Sequence, residues 1–590
     1  MPFSTNPRSY FILAGIILLA FFLRVYRSGT YSIFFDEKST LLISQGVVLE
    51  GANQHDVFDK KDSPYFTPKE FWKQKTFADF IEANIRGDIG NSPAYYGVLW
   101  LWMEVFGRSD FSMRFLSVLF STLTIPLLFF FVRRHFRSDG LALISALIAT
   151  IEPFFIAYSH QARNYSMTFF LTLLTTHLFL IILEKENDRK PATGLYVAYA
   201  LLVATSVLSH YLTVTVFLGH ALYAVLFLRK PQVWVRLGLA AIAGLAVVST
   251  WFIFGAGKYT FSTLNYQANF YRKFAETNPY NNPFGIILPA TVPNVFWRSL
   301  PVFSDLIIFT NGLANALSGF KNVLLALLLG ILATGVIHFY GNQRRPPVWV
   351  RPAVGVVLAA GLPFYTVSPW QNLVLSGSIP LFYLLIVSIF DQKTLRERHL
   401  VVFLMILSLL PTFFLIFMAF RSGHTYGITQ RYSGFSFPYV VILLAMMFRR
   451  LPGLKPWVSL PLVAVLVIQG VFLVGLLQRI YGDSDPKYTY FAQPRLPNPF
   501  WESARKIREQ YAPGDTVLYP SLKRHEYTEV DRSGRPFSVI DAQLVNVYLP
   551  KDATYYQRID QNEPDKIVLV KGKSGRKITI FDFEGMKYRY

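Results

Sequence analysis

Cysteine is absent from the 590 residues, so disulfides, thiolate metal sites and cysteine nucleophiles are excluded at the outset. Charge is scarce as well: 16% of the chain is charged against 52% hydrophobic. No internal repeat, low-complexity stretch or nucleotide-binding motif is present. The ten histidines show no close metal-ligand spacing. Acidic residues are outnumbered 36 to 57, which gives a formal charge of +21. In a soluble protein that surplus would point to nucleic acid. Here the placement of the charge matters more than its total, and no nucleic-acid partner is expected.

What is abundant is long apolar sequence, rich in the 54 Phe and 33 Tyr. A run of about 18 or more apolar residues crosses the ~30 Å hydrocarbon layer as a helix. Such runs recur from Tyr10 to Gln478, which excludes a soluble enzyme and a disulfide-stapled secreted domain. About thirteen spans are expected, near 10–26, 112–132, 140–157, 165–183, 193–209, 211–228, 236–255, 321–340, 352–368, 371–390, 399–420, 435–448 and 456–478. The 352–390 region reads as one span or two. No small-residue cleavage site follows the first run, so it is read as a retained span.

Lys and Arg accumulate on the cytoplasmic side of a membrane protein. Every second connection carries three of them: Arg133/Arg134/Arg137, Lys185/Arg189/Lys190, Arg229/Lys230/Arg236, Arg344/Arg345/Arg351, Lys393/Arg396/Arg398 and Arg449/Arg450/Lys455. The short connections between them hold at most two. This alternation places the N-terminus inside and both long loops, 27–111 and 256–320, outside. The segment 93–107, PAYYGVLWLWMEVFG, is short and rich in Trp and Tyr, and counting it as a span would invert the alternation. It is read as a helix lying on the outer surface.

Beyond the transmembrane region, 1–480, the composition turns soluble, and residues 481–590 read as a small extracytoplasmic α/β domain. Asn498–Tyr511 is expected to be a helix and Thr516–Tyr519 a strand. Lys566–Lys571 and Lys577–Phe583 read as a hairpin around Gly572–Gly575. Asp483-Ser484-Asp485 imitates the acidic motif of nucleotide-sugar transferases, but beside Gly and Pro it reads as a polar turn.

Several residue groups suit chemistry. Asp36 and Glu37 are adjacent acids flanked by Phe near the membrane surface, costly to desolvate unless used or paired. A solvated turn or a helix N-cap is the blander alternative. Successive helical residues point about 100° apart, so one acid can face a cavity while the other holds the loop. Tyr158-Ser159-His160-Gln161-Ala162-Arg163-Asn164-Tyr165 sets one cation among aromatic and amide groups, suited to an anion or a sugar or to interfacial anchoring. Arg431, in Gln430-Arg431-Tyr432, has a guanidinium fork that grips phosphate bidentately, whether a lipid's or a substrate's. His210-Tyr211 lies at the outer end of another span.

Together, in order, the acidic pair, Ser92-Pro93-Ala94-Tyr95-Tyr96, Phe106-Gly107, Arg114-Phe115-Leu116-Ser117, the 158–165 segment and Gln430-Arg431-Tyr432 resemble a known family. It is the dolichyl-phosphate-mannose–protein mannosyltransferase-like glycosyltransferases of the C superfamily, and the bacterial aminoarabinose-transferase branch is the nearest comparison. The resemblance implies a polytopic α-helical membrane protein of glycosyltransferase C type, with interfacial helices in its first outer loop. It implies inverting transfer of a sugar from a polyprenyl-phosphate-linked donor to a cell-envelope acceptor, on the outer face of a bacterial inner membrane.

By that resemblance Asp36 is the catalytic acid–base residue, with Glu37 beside it. Donor phosphate and sugar binding is expected of Arg163, Arg431, His160, Gln161, Tyr165, Tyr95, Tyr96, His210 and Tyr211. No cofactor is expected, although a divalent metal is not excluded. The expected partners are the donor, membrane lipid and an acceptor of lipid, glycan or protein class. The rival reading is a lipid or lipid-linked sugar transporter. Paired halves and broken mid-membrane spans would favour it, and neither is seen in the sequence.

Overall fold

The computed structural model describes residues 7–73, 75–188, 192–282, 284–341, 343, 345–482, 496–523 and 536–586. Asp483-Ser484-Asp485 lies outside the described residues, as do Arg189, Lys190 and Arg344.

The chain is a polytopic α-helical membrane protein. Nine helices among the described residues are long and apolar enough to cross a membrane. Asp139–Ile151 and Pro153–Ser159 pass the same test only as a pair, bent by 56° where they meet, as a broken span or a re-entrant loop. Pro153 opens the second piece, where a missing N–H leaves no bond unmade. Thr193–Ser209 and Tyr211–Phe227 are shorter apolar helices.

One expected span differs. Between 352 and 368 the helix covers only Val350–Ala359, ten residues or about 15 Å, half the hydrocarbon thickness. The chain then turns, with Phe364 N donating to Gly361 O at 2.9 Å, and the next helix starts at Pro369. Gly361 and Pro363 punctuate the run, and hydropathy alone does not register them.

The basic connections gather at one end of the bundle. Arg134 and Arg396 both pair with Glu184, at 3.0 and 2.6 Å. Arg450 pairs with Asp391, and Arg449 donates to Ser138. The first long loop, 27–111, gathers at the other end. There the Pro93–Phe106 helix, too short to cross, buries Tyr95, Tyr96, Leu99 and Met103 on one face and exposes Leu101, Val105 and Phe106 on the other. Gly107, at φ 81°, turns the chain into the helix Asp110–Phe136.

The tail builds one five-stranded sheet together with part of that loop. Its strands are β1 (Tyr65–Phe66), β2 (Thr516–Pro520), β3 (Tyr556–Asp560), β4 (Lys566–Val570) and β5 (Lys577–Asp582), in the order β1-β3-β2-β4-β5. β2 and β3 run parallel and every other pair is antiparallel. In the β1–β3 register Tyr65 stands opposite Arg558 and Phe66 opposite Gln557. The helices Pro499–Gln510 and Ile540–Val547 complete the layer.

Phe66 and Phe71 from the loop share a single hydrophobic core with Leu544, Val517 and Ile567 from the tail. Polar ties reinforce it. Gln543 Nε2 donates to Val48 O at 2.9 Å, and Ser538 Oγ donates to the Glu50 carboxylate at 2.9 Å. Asn498 Nδ2 reaches both oxygens of Asp110 at 2.9 Å.

Candidate functional site

The site begins at the helix Phe35–Ser44, which places Asp36 and Glu37 in its first turn, where the helix dipole favours carboxylates. Phe34 precedes it and offers no side-chain oxygen as a cap. Glu37 supplies one by folding back to accept the Phe34 N–H at 3.2 Å.

Glu37 is fully buried and so is its partner, Arg114. Its Oε1 accepts from Arg114 Nε at 2.8 Å and from Ala162 N at 2.6 Å, and its Oε2 accepts from Arg114 Nη2 at 2.7 Å. The other Arg114 N–H groups go to the carbonyls of Ser28 at 3.0 Å, Tyr31 at 2.7 Å and Ser32 at 2.8 Å. All five donors of the guanidinium are therefore used. A buried charge pair leaves no unsatisfied group only under such complete bonding. Through this pair the membrane helix Asp110–Phe136, the start of the first loop and the 160–164 bend hold one another.

Asp36 points elsewhere, as the 100° step between neighbours requires. Its Oδ2 accepts from Arg431 Nη1 at 3.2 Å, and the two side chains are 17% and 12% exposed. Arg163 approaches from the other side. Its Nη1 donates to the Asp36 carbonyl at 3.3 Å and to Thr40 Oγ1 at 2.8 Å. Its Nη2 lies 3.9 Å from Asp88 Oδ2, and Asp88 also accepts from the Tyr96 phenol. Two arginines from separate connections thus converge on one acidic residue. Arg163 sits in the bend before Tyr165–Asn187, and Arg431 opens the short helix Gln430–Ser433 with its guanidinium 4.7 Å over the Tyr432 ring. Gln430 ties that helix to the second long loop, 256–320, by donating to Asp305 Oδ2 at 2.8 Å.

The local charges balance: Asp36, Glu37 and Asp88 against Arg114, Arg163 and Arg431. Burial works against the charge on Arg163, but Tyr96, Asp88 and Asp36 outweigh it and hold its pKa well above the usual arginine value. Burial pushes the Asp88 carboxyl up, and Arg163 pulls it back only in part. Burial, aided by Arg163 and Arg431, holds His210 down to about 3, so its ring is neutral.

The other expected residues fall into two groups. Tyr165, His210 and Tyr432 form an aromatic wall beside Arg431, with the His210 ring 5.8 Å from Tyr165 and 5.9 Å from Tyr432. Tyr95 and Tyr96 are buried side by side, and Tyr96 reaches the cluster through Asp88. Gln161, His160 and Tyr211 make other contacts. The Gln161 carbonyl closes the bend by accepting Arg163 N at 2.8 Å, and the His160 ring lies 5.6 Å from Tyr481. The Tyr211 phenol donates to Gly90 O, which Trp251 Nε1 also reaches at 2.8 Å, so Tyr211 fastens the first loop to the bundle.

Sequence reasoning did not single out Asp88, Asp305 or the role of Arg114. A lone arginine inside the apolar run after Asp110 was a usable signal, because such a charge needs a partner. Nothing marks Asp88 or Asp305 locally. Among the described residues no three His, Asp or Glu side chains are grouped to hold a metal ion.

Residues 91–254 match the family model described as dolichyl-phosphate-mannose-protein mannosyltransferase. This is the family that the ordered motifs resemble. The mannosyltransferase match takes in the Pro93–Phe106 helix, Arg114, Arg163 and His210, and ends before Arg431. No curated protein matches the chain in sequence.

Among solved structures, the chain is similar to the oligosaccharyltransferase of Archaeoglobus fulgidus in its apo form, at 13% identity and a TM-score of 0.40. That similarity covers 86% of this chain and spans 58% of the archaeal protein's length. It is also similar to ArnT from Cupriavidus metallidurans in the apo state, at 15% identity and a TM-score of 0.33, covering 87% of this chain and 93% of that one. The same ArnT bound to undecaprenyl phosphate matches at 14% identity and a TM-score of 0.32, over 76% and 79% of the two chains.

Proposed function

We propose that the chain is an inverting glycosyltransferase that moves a hexose or pentose from a polyprenyl-phosphate donor to a cell-envelope acceptor. Asp36 is its general base, and Arg163 and Arg431 hold the donor phosphate. The observation that carries this reading is the convergence of both arginines on Asp36, while its neighbour Glu37 is fully occupied by Arg114. The matched mannosyltransferase family supports the same reaction class. The basic end of the bundle faces the cytoplasm, and the acidic loop with its sheet faces outward, across a bacterial inner membrane.

The steps follow from these positions. Arg431 neutralises Asp36 at 3.2 Å. An arriving donor phosphate competes for that guanidinium, whose fork suits phosphate oxygens, and so releases Asp36 Oδ2 as a proton acceptor. The acceptor hydroxyl or amine attacks the anomeric carbon from the face opposite the phosphate and its proton passes to Asp36. The anomeric C–O bond breaks, and polyprenyl phosphate leaves with the electron pair. Arg163 and Arg431 meet the charge that builds on the leaving oxygen. Glu37 and Arg114 do not react; they fix the helix turn that aims Asp36.

Asp36→Asn tests the proposal. A positioned general base contributes roughly 10²–10⁴ in rate. The purified variant should lose transfer by that factor while retaining its thermal midpoint and its affinity for polyprenyl phosphate. Turnover near the parent's rate would remove Asp36 from the reaction.

A further inference from the structure

A hollow of about 1090 Å³ lies far from Asp36, at the opposite end of the bundle. The helix Asp110–Phe136 runs about 40 Å from the acidic cluster to this hollow. Tyr165–Asn187 and Tyr211–Phe227 likewise have one end at each place. Six cations line the hollow: Arg133, Arg134, Arg137, Arg229, Lys230 and Arg396. Three carboxylates, Glu184, Glu186 and Asp188, oppose them.

Glu184 is the hub of the polar wall. It accepts from Arg134 at 3.0 Å and Arg396 at 2.6 Å, and pairs with His135 at 3.0 Å. His135 in turn reaches His177 at 2.9 Å. Arg133 is occupied by Asp139. Arg229 has no hydrogen bond or ion pair among the described residues, and both it and Lys230 are exposed. Leu183, Phe227 and Leu400 form an apolar wall facing the bundle.

We infer that this hollow binds the phosphate headgroup of an anionic membrane phospholipid, with its acyl chains against the apolar wall. Guanidinium forks match phosphate oxygens, and the six cations outnumber the three lining carboxylates even with Arg133 paired to Asp139, which calls for an anion. The hollow sits at the helix ends, which is the headgroup level of a bilayer, where basic pockets between membrane helices take anionic lipid. The general excess of basic residues on one membrane face accounts for cations at this end. It does not account for five helices standing apart around a space with one charged and one greasy wall. The lipid would tie together the ends of the same helices that carry the acidic site.

The test uses the full chain in mixed micelles, with retained lipid read by native mass spectrometry. Phosphatidylglycerol should be held in preference to phosphatidylcholine. Arg229→Gln with Lys230→Gln should weaken that retention about 25-fold, taking roughly fivefold for each cation near the surface. Arg345→Gln with Arg351→Gln, exposed cations of the same end outside the hollow, should leave retention within about twofold. Equal loss in both double variants, or no preference for the anionic lipid, overturns the site. Tighter retention of polyprenyl monophosphate, or full displacement by inorganic phosphate, overturns the phospholipid assignment.

Discussion

The two ends of the bundle use arginine in opposite ways. At the end that carries Asp36 three arginines meet three carboxylates, and one pair, Arg114 with Glu37, is wholly buried and fully bonded. At the other end six cations face three carboxylates around an open hollow. Charge in itself therefore says little about what a membrane protein's arginines do; pairing and burial separate the roles. A balanced cluster admits an anion only by giving up an internal contact, so ligand entry rearranges it. A cluster with surplus charge admits one with no such exchange.

This contrast can be broken most sharply at Arg114. Arg114→Met strands a buried carboxylate, and breaking such a pair costs about 3–5 kcal/mol. The variant should show a large loss of thermal midpoint or of folded yield in detergent, whereas Arg229→Gln at the other end should stay within about 0.5 kcal/mol. Equal effects would erase the distinction drawn here.

Next in size is Arg431→Ala, which removes a charge-assisted bond worth about 1.5–3 kcal/mol. Titration with a polyprenyl-phosphate analogue should show roughly 10–100-fold weaker binding, with the folded state retained. Unchanged affinity would place the phosphate elsewhere.

A smaller effect is expected from pH. His210 titrates at about 3 in the folded chain against 6.5 when unperturbed. Between those values the unfolded chain binds the extra proton, so stability falls as pH drops from 6.5 toward 3 and is unaffected above. The thermal midpoint should fall between pH 7.5 and 4.5, less so in His210→Asn, whose amide oxygen replaces the Nδ1 that accepts from Leu212 N at 3.1 Å. A parallel fall in both would exclude His210 as a source.

Gln543→Ala removes the tail's bonds to Val48 O, Gln54 Oε1 and Glu50 N, each worth about 0.5–1.5 kcal/mol. Limited proteolysis should show faster cleavage in the first loop. An unchanged rate would mean that the shared apolar core alone holds the two together.

Much of this architecture is legible in the sequence, because hydropathy and turn chemistry are local. Nine of the expected spans, the Pro93–Phe106 helix, and the tail's first helix, first strand and hairpin all follow from residues near one another. The missed elements depend on distant partners. The strand β3 and the helix Ile540–Val547 are stabilised against the first loop, nearly 500 residues away in the chain. The fate of Glu37 was open between chemistry and scaffolding, because its partner is 77 positions on. For Asp36 the adjacent pair gave the place, but only the fold shows Arg163 and Arg431 arriving from two other connections.

The strand pairing Tyr65–Phe66 with Gln557–Arg558 has a consequence for biogenesis. Its two halves leave the ribosome almost a whole chain apart, so the loop carrying Asp36 stays unclasped while every membrane helix is inserted. The clasp closes only once β3 has been made. A chain cut short before β3 would leave Tyr65–Phe66 without that strand partner, while Glu37 keeps Arg114 and Ala162.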